Sequence, residues 1–361
     1  MKRNNKLLFK KSIICMISIM TFFLSASCSP TTPSPQPTNT PTLIPFTQTV
    51  IPPTLTPRPT STPTLPPLGS AGNPIKLGFI LTPEDDTAIE ASEDIAFLLS
   101  QDTGFAVEYA VYPDFQSLAS AAEQGDVHLF WLSPFEYLYL NSLGTADAFI
   151  MTNHLGVFAY GVQFLANINR GFMAFFDPLS RQPLGEFLPA VQQFSGTRPC
   201  FISPNSIPGY YVPLGLLANA STPTLDPVFT YSYNATIRAL FIQGICDFGV
   251  SYALIGEPLN TSDIVQNIPE AQTQIITIWQ TDGIIPNTNL SSSPAIPLHM
   301  RYRIQESILK LSTQPENLTL FSTALSYEVA ALKAVDDSFY NPLRSAIAPL
   351  ELDLGTITQQ Q

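Results

Sequence analysis

The sequence predicts an α/β protein of two lobes, each a mostly parallel sheet flanked by helices. Three observations carry this prediction. Short apolar runs alternate with amphipathic stretches from Ile75 onward. A second series of the same kind starts near Pro199. The chain of 361 residues is long enough for two cores of ordinary size. Strands alternating with helices give parallel pairing, because a helix carries the chain back to the start of the next strand.

The first series opens with a strand over Ile75–Leu81. The helix Thr87–Ser100 follows, with Ala88, Ala91, Ile95 and Leu98 on one stripe and Thr87/Glu90 as a capping box. A strand covers Ala106–Tyr112, and Asp114 caps a helix that runs to Glu123 and stops at Gly125. The strand Val127–Leu132 then meets Ser133-Pro134-Phe135-Glu136, a helix start with proline at its first position. The second series reads as strands at Cys200–Ser203, Val228–Tyr233, Cys246–Ser251 and Thr273–Gln280, with helices Gly209–Ala220 and Asn234–Gln243 between them. A Pro286-Asn287 turn precedes three C-terminal helices, Tyr302–Ser312, Glu316–Ser322 and Tyr327–Val335. Strand ends of two such lobes, facing each other, form a clamshell site.

Ahead of this head lies different material. Met1–Lys11 is basic and Ser12–Leu24 is apolar but short of the roughly 20 residues of a spanning helix. The pattern is that of a secretory signal, residues 1–27. Ser25-Ala26-Ser27-Cys28 resembles a bacterial lipobox, with Ser25 where the leucine usually stands; Cys28 is then the lipidated first residue and the lipid the anchor. Between Pro30 and Pro67 there are 13 prolines, 12 threonines and one charge, Arg58. Such a segment (28–68) forms no core and predicts an extended stalk, with a reach of roughly 100 Å at about 3.1 Å per residue. Sugars on its hydroxyls are compatible with this composition.

Charge narrows the function. The net charge is −12, and five of the 16 basic residues sit in the leader. The rest carries 11 basic against 28 acidic residues, which excludes a general nucleic-acid binder. Three histidines without partner spacing offer no metal site, and no P-loop, H-E-x-x-H or G-x-S-x-G is present. Gly249-Val250-Ser251-Tyr252-Ala253 matches only half of a nucleophile elbow. No cofactor and no enzyme activity are expected. Cys200 and Cys246 remain after processing, and either a disulfide in an exported head or two buried thiols fits them.

A series of segments, in order, resembles one family: Ile75–Leu81; Gly104–Glu108; Gly125–Pro134; Ser203-Pro204-Asn205-Ser206-Ile207-Pro208-Gly209-Tyr210-Tyr211-Val212-Pro213; Gly244–Gly249; Ile284-Ile285-Pro286-Asn287; and Val335–Arg344. The head is similar to the phosphate/phosphite/phosphonate class of ABC-transporter substrate-binding proteins, of the type II periplasmic binding protein fold. The resemblance implies a discontinuous first lobe (69–158 and 285–361) around a second (159–284). It also implies a monomer that captures a small oxyanion and delivers it to an ABC permease from the extracytoplasmic face of a membrane. A helix N-terminus with Ser and Thr hydroxyls suits an anion. Here the family's Ser-Thr-Ser-Gly loop reads Ser206-Ile207-Pro208-Gly209, its aspartate is Ser203 and its histidine is Tyr233. The lost donors argue for a less charged or more apolar solute.

The candidate ligand residues are Trp131, Ser133, Tyr137, Asn205, Ser206, Gly209, Tyr210, Tyr233, Asn234 and Ser251. Several have a plainer reading: Ser133 as a helix cap, Ser206 and Gly209 as turn residues, Trp131 and Tyr137 as core. Glu84, Asp85 and Asp86 complement a helix dipole. Two other functions fit the same head: an extracellular sensor that signals through a membrane receptor, and a head that binds nothing.

Overall fold

The computed structural model describes residues 65–177, 179–254 and 270–359, all within one compact unit, Pro63–Gln361. The secretory signal, Cys28 and nearly all of the stalk lie outside the described residues. Strand β1 (Ile75–Ile80) is apolar and mostly buried, as a strand covered on both faces must be. Helix α1 (Asp86–Thr103) begins earlier than the expected Thr87–Glu90 box, because the Asp85 carboxylate already accepts the Ala88 N–H at 3.1 Å. Strand β2 (Val107–Tyr112), helix α2 (Phe115–Gln124), strand β3 (Leu129–Leu132) and helix α3 (Pro134–Ser142) follow as expected. Asp114 caps α2 from 2.8 Å, and Gly125 ends it at φ 76°. His128 is packed, its Nδ1 accepting the Lys76 N–H at 3.0 Å.

Strand β4 (Asp147–Asn153) then turns at Leu155-Gly156 into β5 (Ala159–Asn167). After a short hairpin, β6 (Phe176–Asp177) and β7 (Gln182–Pro183), come α4 (Phe187–Gln192) and β8 (Pro199–Phe201). The helix expected over Gly209–Ala220 starts as a π turn, Ile207–Tyr211, and continues as α5 (Val212–Asn219). Pro213 has no N–H to give the Gly209 carbonyl, which accepts from Ile202 instead at 3.0 Å. Strand β9 is only Val228–Phe229, since Ser232 caps α6 (Tyr233–Ile242) by accepting the Ala235 N–H. Strand β10 (Phe248–Ala253), α7 (Ala271–Gln274), β11 (Ile275–Gln280), β12 (Ile285–Pro286) and β13 (Asn289–Ser292) lead to α8 (Leu298–Leu311) and α9 (Pro315–Ala324).

The expected helix Tyr327–Val335 is instead a loop and the strand β14 (Ala331–Ala334), paired antiparallel with β4 from Ala331↔Asn153 to Ala334↔Ile150. An alanine-rich segment that reads as helix in isolation is captured by an open sheet edge. The chain ends in α10 (Asn341–Ile347) and α11 (Leu354–Thr358).

Two sheets result, ordered β14-β4-β13-β3-β1-β2 and β11-β5-β10-β8-β9. The α/β, two-lobed organisation is as predicted, but the sheets are mixed rather than mostly parallel. Strands β1, β2 and β3 are parallel in one, and β8, β9 and β10 in the other. The strands beside the two crossings between sheets, β4–β5 and β12–β13, run antiparallel to their neighbours. Thr152 donates to the Thr288 carbonyl through both its N–H (3.1 Å) and its hydroxyl (2.8 Å), and the Asn287 amide donates to Thr152 O and Val157 O. The Pro-Asn turn thus ties the two crossings together.

The cysteines are bonded: Cys200 and Cys246 form a disulfide, with Cα atoms 5.6 Å apart. Closing a loop of sequence separation 46 stabilises the fold by roughly 4 kcal/mol on chain-entropy grounds. The C-terminal segment touches both lobes. Helix α10 lies so close to α5 that a Cβ on Gly215 meets the Ala346 carbonyl at 2.2 Å, and the Asn219 amide donates to Ser345 O and Ala346 O.

Candidate functional site

Where the two sheets meet at the crossings, a cavity of about 350 Å³ opens. Pro134, at the start of α3, lines one wall together with His154, Leu155, Thr288 and Tyr327. Pro208 in the π turn, Tyr160 on β5, Tyr233 at the start of α6, Tyr252 and Leu254 line the other. Helix starts from both lobes therefore converge on one space. A larger hollow of about 590 Å³ lies between α5, α10 and the β6–β7 hairpin, but no residue expected at the cleft lines it.

The helix starts are capped from within. At α3 the Ser133 N–H donates to the Glu136 carboxylate at 2.7 Å, and Pro134 has no N–H. Burial raises the pKa of the Glu136 carboxyl, against the pull of its bonds from Ser133. In the π turn, Ser206 Oγ accepts the Gly209 N–H at 3.0 Å, Ser206 O accepts from Tyr211, and Pro208 again lacks a donor. At α6 the Ser232 hydroxyl and carbonyl accept from Ala235 and Thr236.

The rings stand in pairs. Tyr233 and Tyr252 meet edge to face at 4.9 Å, and His154 stacks on Tyr327 at 4.5 Å. Burial pushes the Tyr233 hydroxyl up to about 12, despite its hydrogen bond with Ser206. Tyr327 is likewise pushed up to about 12 by burial. Tyr160 is raised by burial and by the neighbouring phenols Tyr233 and Tyr327. All three are neutral phenols at neutral pH. Among the described residues no lysine or arginine lines the cavity; Lys333 is turned onto the rings of Phe158 and Phe339, 4.3 Å from each centroid.

Of the residues expected from sequence, Tyr233 lines the cavity, Ser206 is bonded to it, and Ser133 and Gly209 flank Pro134 and Pro208, two of the three lining prolines. Gly209 is required for packing, since a Cβ there falls 2.4 Å from Ile202 Cγ1. Asn205 and Asn234 are exposed beside the same turns. Three placements are corrected. Trp131 is 4% exposed and packs on Phe321 in the first lobe's core. Tyr137 is fully buried, packed at a tilt against Tyr340 with its hydroxyl donating to Asp337 at 2.6 Å. Tyr210 belongs to a cluster with Phe201, Tyr211 and Phe229. Ser251 is buried within β10, and its neighbour Tyr252, on the opposite face of the strand, lines the cavity. His154, Leu155, Tyr160, Thr288 and Tyr327 were not found from sequence. Only Asn287, in the Pro-Asn turn, carried a motif, and it too borders the space.

A family model described as "ABC transporter, phosphonate, periplasmic substrate-binding protein" matches residues 77–340. Among solved structures, the Xanthomonas citri protein XAC2383 bound to chloride ion is similar at TM-score 0.52 and 12% identity, covering 80% of this chain and 99% of its own. The same protein bound to ATP is similar at TM-score 0.51 and 12% identity, over 79% and 98%. PhnD1 from Prochlorococcus marinus, in complex with methylphosphonate, is similar at TM-score 0.44 and 15% identity, over 76% and 97%. No curated protein matches the chain.

Proposed function

Because the chain belongs to the family of periplasmic phosphonate substrate-binding proteins of ABC transporters, we propose that it captures a small solute in the tyrosine-lined cavity and hands it to an ABC permease. The family is one of transport proteins rather than enzymes. The observation that carries this reading is the position of the cavity. Helix starts of both lobes, Pro134 and Pro208, line it together with residues of both crossings. A solute there touches both lobes at once, so its binding favours the closed arrangement by its differential affinity for it. Lipid at Cys28 and the stalk keep the head near the permease, on the extracytoplasmic face.

The reading departs from the family on the ligand. Pro208 removes an N–H, and Ile207 and Pro208 two hydroxyls, at the turn where the family reads Ser-Thr-Ser-Gly, and side chains of the chain itself occupy other groups at the helix starts. A doubly charged phosphonate needs several such donors in a site from which water is excluded. The solute is therefore less anionic than a phosphonate. Reconstitution of the cognate permease and ATPase in proteoliposomes tests the transport role: the full chain is expected to stimulate ATP hydrolysis. If saturating protein leaves the hydrolysis rate unchanged, the importer role is lost.

A further inference from the structure

The cavity is lined by aromatic rings together with several acceptor groups. Thr152 Oγ1 gives its single hydrogen to the Thr288 carbonyl at 2.8 Å. In its short contact with Thr152 Oγ1, the Tyr327 hydroxyl must therefore be the donor. The Tyr327 oxygen is also bonded to the Thr288 side chain. His154 Nδ1 faces the Glu328 carbonyl at 2.9 Å. A carbonyl only accepts, so Nδ1 carries the hydrogen, and the tautomer with that hydrogen leaves Nε2 as an acceptor. The Asn287 amide donates to Thr152 O and Val157 O. The three lining prolines, Pro134, Pro208 and Pro286, contribute no N–H at all. Around these acceptors stand four tyrosine rings and one imidazole, with no lining cation among the described residues. Rings that are electron-rich on their faces, beside unshared lone pairs, attract positive charge. The remainder of the chain, with 11 basic and 28 acidic residues, adds a negative field in the same direction.

Resting on the solute-binding reading above, we infer that the cavity is a cage for a small organic cation, an alkylated ammonium or a primary amine. Tyr233, Tyr252, Tyr160 and Tyr327 supply the ring faces and edges, and His154 Nε2 takes an N–H or O–H of the solute. The 350 Å³ space suits a compact head group with a short hydroxylated arm. A charge held this way needs no carboxylate partner, and none of the described lining residues is acidic.

The test uses the full chain, with calorimetric titration and thermal melting against three probes. They are choline, its uncharged isostere 3,3-dimethylbutan-1-ol, and methylphosphonate. Choline is expected to bind and raise the melting midpoint, with the isostere at least about 10-fold weaker. Tyr233→Leu is expected to weaken choline roughly 10-fold with an unchanged circular dichroism spectrum. Tyr233→Phe, which keeps the ring, stays within about 3-fold. Equal binding of the neutral isostere overturns the inference, as does tighter binding of methylphosphonate, or no binding of choline at millimolar concentration. The transport reading fails separately. If choline binds but the permease is not stimulated, the cage stands without the importer; if stimulation persists but no ammonium binds, only the ligand class falls.

Discussion

Two tyrosine clusters flank the crossing between the lobes, and they use the same side chain in opposite ways. In the C-terminal segment the polar groups are satisfied within the chain. Tyr137 donates to Asp337, Asp337 is paired with Arg344, and Arg344 Nη2 donates to Asn141 at 2.8 Å. Tyr340 is fully buried, and its oxygen accepts from the Asn289 amide at 2.7 Å. At the cavity, the rings of Tyr160, Tyr233, Tyr252 and Tyr327 and the imidazole of His154 border open volume instead. A closed network fixes geometry, whereas rings beside open volume mark a place for a ligand. The difference lies in what surrounds each ring.

The largest effect should come from breaking the closed cluster. Tyr340→Ala removes a ring packed at a tilt against Tyr137, 4.1 Å between centroids, and leaves the buried Asn289 amide short of a partner. We expect a loss of about 3–5 kcal/mol in urea unfolding. The same truncation at Tyr233, one face of which opens on the cavity, should cost less than half as much. Equal costs would mean that both clusters are structural.

This contrast explains what was legible in the sequence. Strands and helices with strong local signals were readable: the apolar run of β1, Asp114 and Gly125 around α2, and proline at the first position of α3. The strand β14 was not, because its pairing with β4 is a tertiary choice over an alanine-rich stretch. The site was legible where a turn carried it, at Ser133–Pro134, Ser206–Gly209 and Tyr233. It was illegible where ring direction decided the role. Tyr137 and Tyr210 turn into packed clusters while Tyr160 and Tyr327 turn into the cavity, and composition is blind to that. The exchange of Ser251 for Tyr252 is a one-residue error, which in a strand selects the opposite face.

A sharper test replaces the lost donors. Ile207→Thr with Pro208→Ser restores two hydroxyls and one N–H at the π turn. Methylphosphonate affinity in calorimetric titration should rise at least about 10-fold, while choline affinity should fall. No gain would place the ligand contacts away from this turn.

The clusters should also answer pH from opposite ends. Burial opposes the Asp337 carboxylate, but hydrogen bonds from Arg344 and Tyr137 outweigh it and hold its pKa below the usual range. A depressed carboxylate contributes stability above its ordinary pKa of about 4, and this is lost as pH falls through the lower folded value. Tyr233 and Tyr327, raised to about 12, contribute below pH about 10 and lose that contribution as pH climbs toward about 12. Urea midpoints from pH 3 to 11 should show Asp337→Asn flattening only the acid limb, by less than about 1 kcal/mol because Asp337 is half exposed. Tyr233→Phe should flatten only the alkaline limb. A variant that flattens both limbs would contradict the separation of the two clusters.

The smallest expected effect is the most specific to the cavity. Leu155 and Gly156 form a two-residue turn with φ 48° and 85°, closed by paired bonds between His154 and Val157 of 2.9 and 3.1 Å. Such a turn favours glycine or asparagine, and a left-handed leucine costs about 1 kcal/mol. Leu155 is also 49% exposed, so burial does not offset that cost fully, and its side chain lines the cavity. A residue that is unfavourable to its own backbone and half in solvent is retained for what it faces. In Leu155→Gly the relieved backbone is balanced by the greater freedom of the unfolded chain, so stability should move by less than about 0.5 kcal/mol. Choline affinity should nonetheless drop about 3-fold through the lost apolar contact. A fall in stability of more than about 1 kcal/mol with affinity unchanged would show that Leu155 serves the turn rather than the site.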